Sequence, residues 1–244
     1  MKLAVIGHNI SYSLSPKIHH YWISHYGLPG SYEIIDQHPV DFAALLAHYE
    51  GGNVTTPYKE KIIPYLHQLT PVAQAIGAVN TFFESKGQLI GDNTDYLAIK
   101  EVIQDFPNRQ KAMIFGGGGA AKAALFALKE LNVTAFMCSR LPRQELEVSW
   151  QDRHHHLQEV NILINATPLG LNNQGCPVEF LPSHPCLVID MVYQPVRTPL
   201  INLAKQGGHF ICDGLEILIR QARHSFKRWW NIMPNLDEIR EHLK

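Results

Sequence analysis

Residues Met113–Lys122 read M-I-F-G-G-G-G-A-A-K, and the fold turns on how this stretch is read. It follows an apolar run, Lys111–Phe115, suited to a buried strand, and opens a helical pattern through Ala121–Leu131. Gly116, Gly118 and Ala121 satisfy G-x-G-x-x-G/A, the turn at which a main chain approaches a pyrophosphate at a helix start. Only glycine accepts the dihedrals and close approach there, and the helix dipole with its free N–H groups favours an anion. A ligand-free glycine turn is the competing account. The strand before and the helix after favour a dinucleotide site.

The next strand narrows the cofactor. Val133–Cys138 is apolar and partly β-branched, so it reads as the neighbouring strand. An NAD-binding unit usually places Asp or Glu at the end of that strand, for the ribose hydroxyls. Here the place holds Ser139 and Arg140, with Arg143 close behind and no carboxylate before Glu145. An arginine fork pairs with a 2′-phosphate, so NADP is favoured over NAD; two solvated arginines on a surface loop are the plainer alternative.

Composition narrows the class. At 244 residues and 45% apolar, the chain can bury a sizeable core in one or two domains. A net charge of −1 gives no broad attraction to nucleic acid or acidic membranes. Met1–Gly7 reads as a short strand rather than a signal peptide, and no apolar run reaches the ~18 residues of a membrane span. Cys138, Cys176, Cys186 and Cys212 lack zinc-finger spacing and read as reduced packing residues of a cytoplasmic protein. No metal is expected: consecutive residues cannot share one face, so His154-His155-His156 reads as a solvated loop.

Strands alternate with helices. Lys2–Gly7, Ser31–Asp36 and Gly52–Thr55 are expected strands, with helices at Pro16–Tyr26, Asp41–His48 and Lys59–Leu66. Val79–Glu84 and Gln88–Gly91 flank Lys86-Gly87 as a hairpin. A polar break at Pro107–Gln110 marks a boundary; beyond it Asn161–Ala166, Leu187–Tyr193 and His209–Asp213 extend a parallel sheet, and Leu215–Trp230 reads as the last helix. The alternation predicts an α/β protein of two domains with a cleft between them.

The first half carries a second set of signals. Tyr12–Pro16 sets two hydroxyls, Ser13 and Ser15, before a proline-started helix, where Ser15 also suits the N-cap. Asn53–Glu60 puts polar groups at a strand end and then Lys59 in an expected first helical turn, where a cation opposes the helix dipole and so points to function. Gly77–Thr81 and Gly91–Asp95 add amides, hydroxyls and carboxylates at element ends. Each alone is ordinary turn chemistry; together they predict a polar pocket.

These segments resemble the shikimate dehydrogenase family over nearly the whole chain. The resemblance rests on S-x-S-P at Ser13–Pro16, N-V-T-x-P-x-K-E at Asn53–Glu60, G-A-V-N-T at Gly77–Thr81 and N-T-D at Asn93–Asp95. It continues through G-x-G-G-A at Gly116–Ala120, N-A-T-P-x-G at Asn165–Gly170, D-x-V-Y-x-P at Asp190–Pro195 and D-G-L…Q from Asp213 to Gln221. It implies NADPH-dependent reduction of 3-dehydroshikimate to shikimate, in aromatic amino acid biosynthesis, by a monomer or homodimer. It implies a discontinuous α/β substrate domain, residues 1–95 and 214–244, and a Rossmann-type NADP-binding domain, residues 96–213.

By motif position, the resemblance gives Ser13 and Ser15 to the substrate carboxylate and Thr55, Asn80 and Gln221 to its ring hydroxyls, with the substrate-binding Tyr193 nearby. Lys59 and Asp95 would be the catalytic pair. Gly116, Gly118, Gly119, Ala120, Ser139, Arg140, Arg143 and Thr167 would serve the cofactor, with Val192 and Gly214 beside the nicotinamide. The chain departs from the family at Ser139-Arg140-Leu141, where Asn-Arg-Thr is usual, at Glu216, and in a short 36–53 segment. The chemistry asks for such groups on its own account. Hydride delivery to a ketone creates negative charge on oxygen, a protonated lysine quenches it, and a neighbouring carboxylate orients and tunes that lysine. Three alternatives remain: an NAD-linked quinate/shikimate dehydrogenase, a non-catalytic NADP-dependent sensor, and a methylenetetrahydrofolate dehydrogenase. Arg140, the retained Lys59 and Asp95, and the paired serines argue against them in turn.

Overall fold

A computed structural model describes residues 1–38, 40–140 and 147–243. The chain divides into two compact units, residues 1–94 with 219–244 and residues 95–218. Its elements run β1 (Lys2–Gly7), α1 (Ser15–His25), β2 (Ser31–Asp36), α2 (Phe42–Leu46), β3 (Gly51–Val54), β4 (Gln68–Leu69), α3 (Pro71–Ile76), β5 (Thr81–Ser85) and β6 (Gln88–Asp92). There follow α4 (Asp95–Gln104), β7 (Lys111–Phe115), α5 (Gly119–Glu130), β8 (Thr134–Ser139), β9 (Glu147–Ser149), β10 (Ile162–Asn165), β11 (Leu187–Asp190), α6 (Pro199–Gln206), β12 (Phe210–Cys212), α7 (Gly214–Trp230) and α8 (Leu236–His242).

In the first unit the sheet order is β2-β1-β3-β5-β6-β4. β1 pairs parallel to both neighbours, whereas β5 runs antiparallel to β3 and β6. Residues 3–7 of β1 are all buried, as a central strand covered on both faces requires. Ile6, Val54, Phe82 and Tyr58 pack on one face. On α1 and α7, Trp22, Phe226 and Trp229 surround His19, whose ring stacks on Tyr32 at 4.4 Å. Burial in this aromatic cage pushes the His19 imidazole down to about 3, against a weaker opposing effect of Asn53, so it is neutral at neutral pH.

In the second unit the order is β12-β11-β10-β7-β8-β9, with every pairing parallel. Two halves therefore diverge from β7 and β10, which makes the carboxyl ends of those strands the topological switch point. Ala112 and Ile114 face one core with α4 and α5, while Met113 and Phe115 face the other with α6. The period-two alternation covers both sides of a parallel sheet, as apolar runs of this kind demand.

The structure corrects several expectations. Lys59–Leu66 is not an α-helix: it is a run of turns closed by a 3₁₀ turn at Ile63–Tyr65. Pro64 has no N–H to donate, and its ring would strike the carbonyl four residues back, so an α-helix cannot pass through it. The dipole argument for Lys59 therefore has no helix to act on. Ser15 is the first helical residue of α1, not its cap: Leu14 holds the cap position, and the Ser13 hydroxyl accepts the Ser15 N–H at 3.3 Å. The His154–His156 triplet lies in a 3₁₀ helix, Arg153–Glu159, with His154 stacked on Phe180 at 5.0 Å. Leu215–Trp230 is not the last helix, because α8 follows, capped by Asn235. Among the described residues no helix is long and apolar enough to cross a membrane, and no group of three His, Cys, Asp or Glu could hold a metal ion.

Candidate active site

Three separate polar motifs converge in the first unit. Asn80, just ahead of β5, and Thr94, just beyond β6, are buried with Asn53, Gln221 and Ser225. Asn80 Nδ2 donates to Gln221 Oε1 at 3.2 Å and to Thr94 Oγ1 at 3.0 Å, while Asn80 Oδ1 accepts the Thr94 N–H at 2.6 Å. Asn93 Nδ2 donates to the Ala78 carbonyl at 2.9 Å, so G-A-V-N-T and N-T-D are laced together by their own side chains. Asn80 and Gln221 were expected to act together; Asn53, Thr94 and Ser225 were not assigned roles from sequence. Ser225 lies one turn beyond Gln221 on a face shared with Ala222 and Phe226, and a serine on a buried helical face was the available signal.

The other expected residues of this unit sit at the carboxyl ends of β1 and β3. The Asp36 carboxylate accepts the N–H groups of Asn9 at 2.7 Å and Ile10 at 2.9 Å, and the Ile10 carbonyl accepts the Ser13 N–H at 2.8 Å. That ladder fixes the loop that carries Ser13 and leads into α1 at Ser15. The main chain of Thr55 is tied to Ile6, and the Lys59 carbonyl accepts the Val79 N–H at 2.7 Å, one residue from Asn80. Asp95 is the buried first residue of α4 and opens the second unit directly after Thr94. A carboxylate there also complements the helix dipole.

In the second unit Gly116 closes β7 with φ +117°, and a Cβ there would sit 3.0 Å from the Ala166 carbonyl oxygen at the end of β10. Gly118 caps α5 with no side-chain hydrogen bond, and a Cβ added to it would meet nothing within 4 Å. Among the described residues, open space thus lies where a Gly118 Cβ would sit, ahead of the first N–H groups of the helix, which have no intrahelical acceptor, a cradle that fits a diphosphate. Ser139 ends β8, the neighbouring strand, and Arg140 follows it, exposed. Arg143 lies outside the described residues.

One buried carboxylate organises the rest of this strand-end edge. Asp190 accepts hydrogen bonds from Asn165 Nδ2 at 2.9 Å, from the Val192 N–H at 3.0 Å and from the Thr198 hydroxyl at 2.6 Å. Asn165 Oδ1 in turn accepts the Thr167 hydroxyl at 2.6 Å. Burial pushes the Asp190 carboxyl up to about 6, with these donors opposing and the Asp213 charge adding. The bond to Val192 also ends β11 at Asp190, short of the expected Tyr193. A Cβ on Gly214 would lie 2.3 Å from the Val192 carbonyl oxygen, so the two expected nicotinamide-side residues touch main chain to main chain. The Cys138 and Cys186 thiols, pushed by burial to about 11 and about 12, are held protonated at neutral pH.

Comparison with known proteins places this arrangement. A family model described as the shikimate dehydrogenase substrate binding domain matches residues 5–82. A Shikimate dehydrogenase (NADP(+)) of Staphylococcus epidermidis is 36% identical over 261 residues, covering 98% of this chain and 96% of the relative. The chain belongs to the shikimate dehydrogenase family. A second family member, from Thermus thermophilus, is 32% identical over 99% of this chain and 97% of its own length. The crystal structure of a shikimate 5-dehydrogenase, also from Thermus thermophilus, in complex with NADP(H) and shikimate superposes with a TM-score of 0.88. It is 31% identical and covers 99% of this chain and 97% of its own. The two-domain α/β fold of the family is the fold described above.

Proposed function

We propose that the chain is an NADP-dependent shikimate dehydrogenase, which reversibly reduces 3-dehydroshikimate to shikimate in aromatic amino acid biosynthesis. The observation that carries this reading is the buried Asn80–Gln221 pair, brought from 141 residues apart in sequence to a 3.2 Å hydrogen bond. Two neutral amides in a buried setting suit ring hydroxyls, which need both donors and acceptors. Thr55 and Tyr193 extend that recognition, and the hydroxyls of Ser13 and Ser15 donate to the substrate carboxylate. A monomer or homodimer working in the cytoplasm on a small-molecule substrate completes the reading.

The cofactor residues take the roles that their places in the family's motifs give them. Gly116, Gly118, Gly119 and Ala120 present the α5 N–H groups to the diphosphate. Ser139 and Arg140, with Arg143, meet the 2′-phosphate ribose, and Thr167, Val192 and Gly214 border the nicotinamide. The bound nicotinamide supplies the hydride. Lys59 then donates a proton to the developing alkoxide oxygen in the reduction and takes it back in the oxidation, oriented by Asp95.

Lys59→Ala tests the assignment. It should lower kcat by roughly 10²–10⁴-fold, the usual contribution of a lost acid/base, while NADPH affinity measured by fluorescence titration stays near wild type. A variant with normal kcat and weakened NADPH binding would overturn the role given to Lys59.

A further inference from the structure

Thr167 and Val192, both read as nicotinamide-side residues, are tied to one side chain of the second unit. Asp190 Oδ1 accepts the Val192 N–H at 3.0 Å and Asn165 Nδ2 at 2.9 Å, while Asp190 Oδ2 accepts the Thr198 hydroxyl at 2.6 Å. The Asn165 side chain carries the tie onward. Its Nδ2 also donates to the Leu169 carbonyl at 2.9 Å, and its Oδ1 accepts the Thr167 N–H at 3.1 Å and the Thr167 hydroxyl at 2.6 Å. Thr198 anchors the other end, because its hydroxyl caps α6 by accepting the Ile201 N–H at 3.2 Å.

Both branches end against glycines expected to serve the cofactor. A Cβ on Gly116 would lie 3.5 Å from Thr167 Cγ2, so the segment after β10 sits against the glycine turn. A Cβ on Gly214 would lie 2.3 Å from the Val192 carbonyl oxygen, so the segment after β11 has no slack on that side. Asn165 and Asp190 are paired in register as the last residues of β10 and β11, and with Thr198 they are inaccessible to solvent. Apolar side chains could fill this space without desolvating a carboxyl group. They could not hold a main-chain N–H, an amide and a hydroxyl from three segments on one pair of oxygens, because hydrophobic contact is non-directional.

We infer that Asp190 is a positioning residue for the nicotinamide half of the cofactor: through Val192 directly, and through Asn165 to Thr167, it sets the spacing of the two segments that border the ring. This rests on the reading of Thr167, Val192 and Gly214 as nicotinamide-side residues. Removing the carboxyl group releases both segments at once. The Gly116 N–H is bonded instead to the Cys138 carbonyl of β8 at 2.9 Å, so the glycine turn keeps its own anchor.

The test is calorimetric binding to the full chain of NADPH and of adenosine 2′,5′-bisphosphate, which carries the 2′-phosphate but no nicotinamide. Asp190→Ala should weaken NADPH roughly 5–50-fold, as the loss of one or two hydrogen bonds to the ligand would, and leave the bisphosphate within about two-fold of wild type. Equal weakening of both ligands, as a general loosening of the unit would give, or of neither, would overturn the inference. Asp190→Asn can accept from Asn165 and Val192 and turn its NH₂ to Thr198, so it should bring NADPH affinity back to within about three-fold of wild type. An affinity as weak as that of Asp190→Ala would overturn it. If Asp190→Ala shows no melting transition, Asn165→Ala keeps the ties to Val192 and Thr198 and cuts the branch to Thr167. It should weaken NADPH roughly 3–10-fold and the bisphosphate by less than about two-fold, and wild-type NADPH affinity there would equally refute the inference. Gly214→Ala, which should also weaken NADPH, separates the two layers. Wild-type NADPH affinity in that variant would overturn the reading of the nicotinamide side itself, whereas weakened NADPH there with wild-type affinity in Asp190→Ala overturns only the positioning by Asp190.

Discussion

Replacing Asp190 by asparagine should abolish a loss of stability that the wild-type chain undergoes between about pH 4 and pH 7. The Asp190 side chain is inaccessible to solvent, and burial raises its carboxyl from the ordinary 3.8 to about 6. A folded-state value above the unfolded one means that the stabilising contribution is complete below the unfolded pKa and is lost as pH rises through the folded one. A shift of about two units corresponds to about 3 kcal/mol at 1.36 kcal/mol per unit. For a unit of this size that is roughly 10 °C in Tm. Asparagine stays neutral throughout, can accept from Asn165 Nδ2 and the Val192 N–H, and can turn its own NH₂ to the Thr198 hydroxyl. The assay is thermal melting of both proteins from acid to neutral pH. Taking the difference in Tm cancels the carboxylates they share, and that difference should grow in favour of Asp190→Asn as pH rises, levelling off above about pH 7. Asp190→Ala should be less stable than either at acidic pH, because it leaves three donors without their acceptor, at about 1–3 kcal/mol each. A Tm difference between wild type and Asp190→Asn that is constant across the range would refute the reasoning.

Two further substitutions probe the cofactor side. Gly214→Ala places a Cβ 2.3 Å from the Val192 carbonyl oxygen, so the main chain must give way by about 1 Å, and kcat/KM for NADPH should fall roughly 10²-fold. A near-wild-type value would mean that the Val192–Gly214 contact does not shape the cofactor site. Arg140→Ala should erode a preference for NADP over NAD of roughly 10–150-fold by weakening NADP alone, read as kcat/KM for both cofactors at fixed ionic strength. Equal use of both cofactors by the wild type would remove the role given to Arg140 and favour an NAD-linked enzyme.

Local order was legible wherever one rule acted alone. The strands Lys2–Gly7 and Lys111–Phe115 form over the residues expected, because continuous apolar runs have no other way to bury themselves in a parallel sheet; Ser31–Asp36 also forms where expected, as a largely exposed edge strand. Four helices, α3, α4, α6 and α8, went unread, and two of them have starts that are written plainly. Thr70-Pro71 and Thr198-Pro199 each set a capping hydroxyl before a proline, and each cap accepts the N–H three residues on at 3.2 Å. Lys59–Leu66 failed for the opposite reason: its apolar spacing suggests a helix, and Pro64 forbids one.

The sequence by itself determined the α/β class, the glycine turn ahead of α5 and the family, because each depends on residues close together in the chain or on motifs in a set order. Only the tertiary structure decided what joins them. Hydrogen bonds between Asn80 and Gln221, or between Asn53 and Ser225, span 141 and 172 residues, and no local pattern encodes such a pairing. The same holds for Asp190, whose raised pKa arises from burial beneath strands and loops that are distant in sequence. Desolvation and hydrogen-bond partnership are properties of the packed surroundings, so they exist only once the chain has folded around the groups concerned.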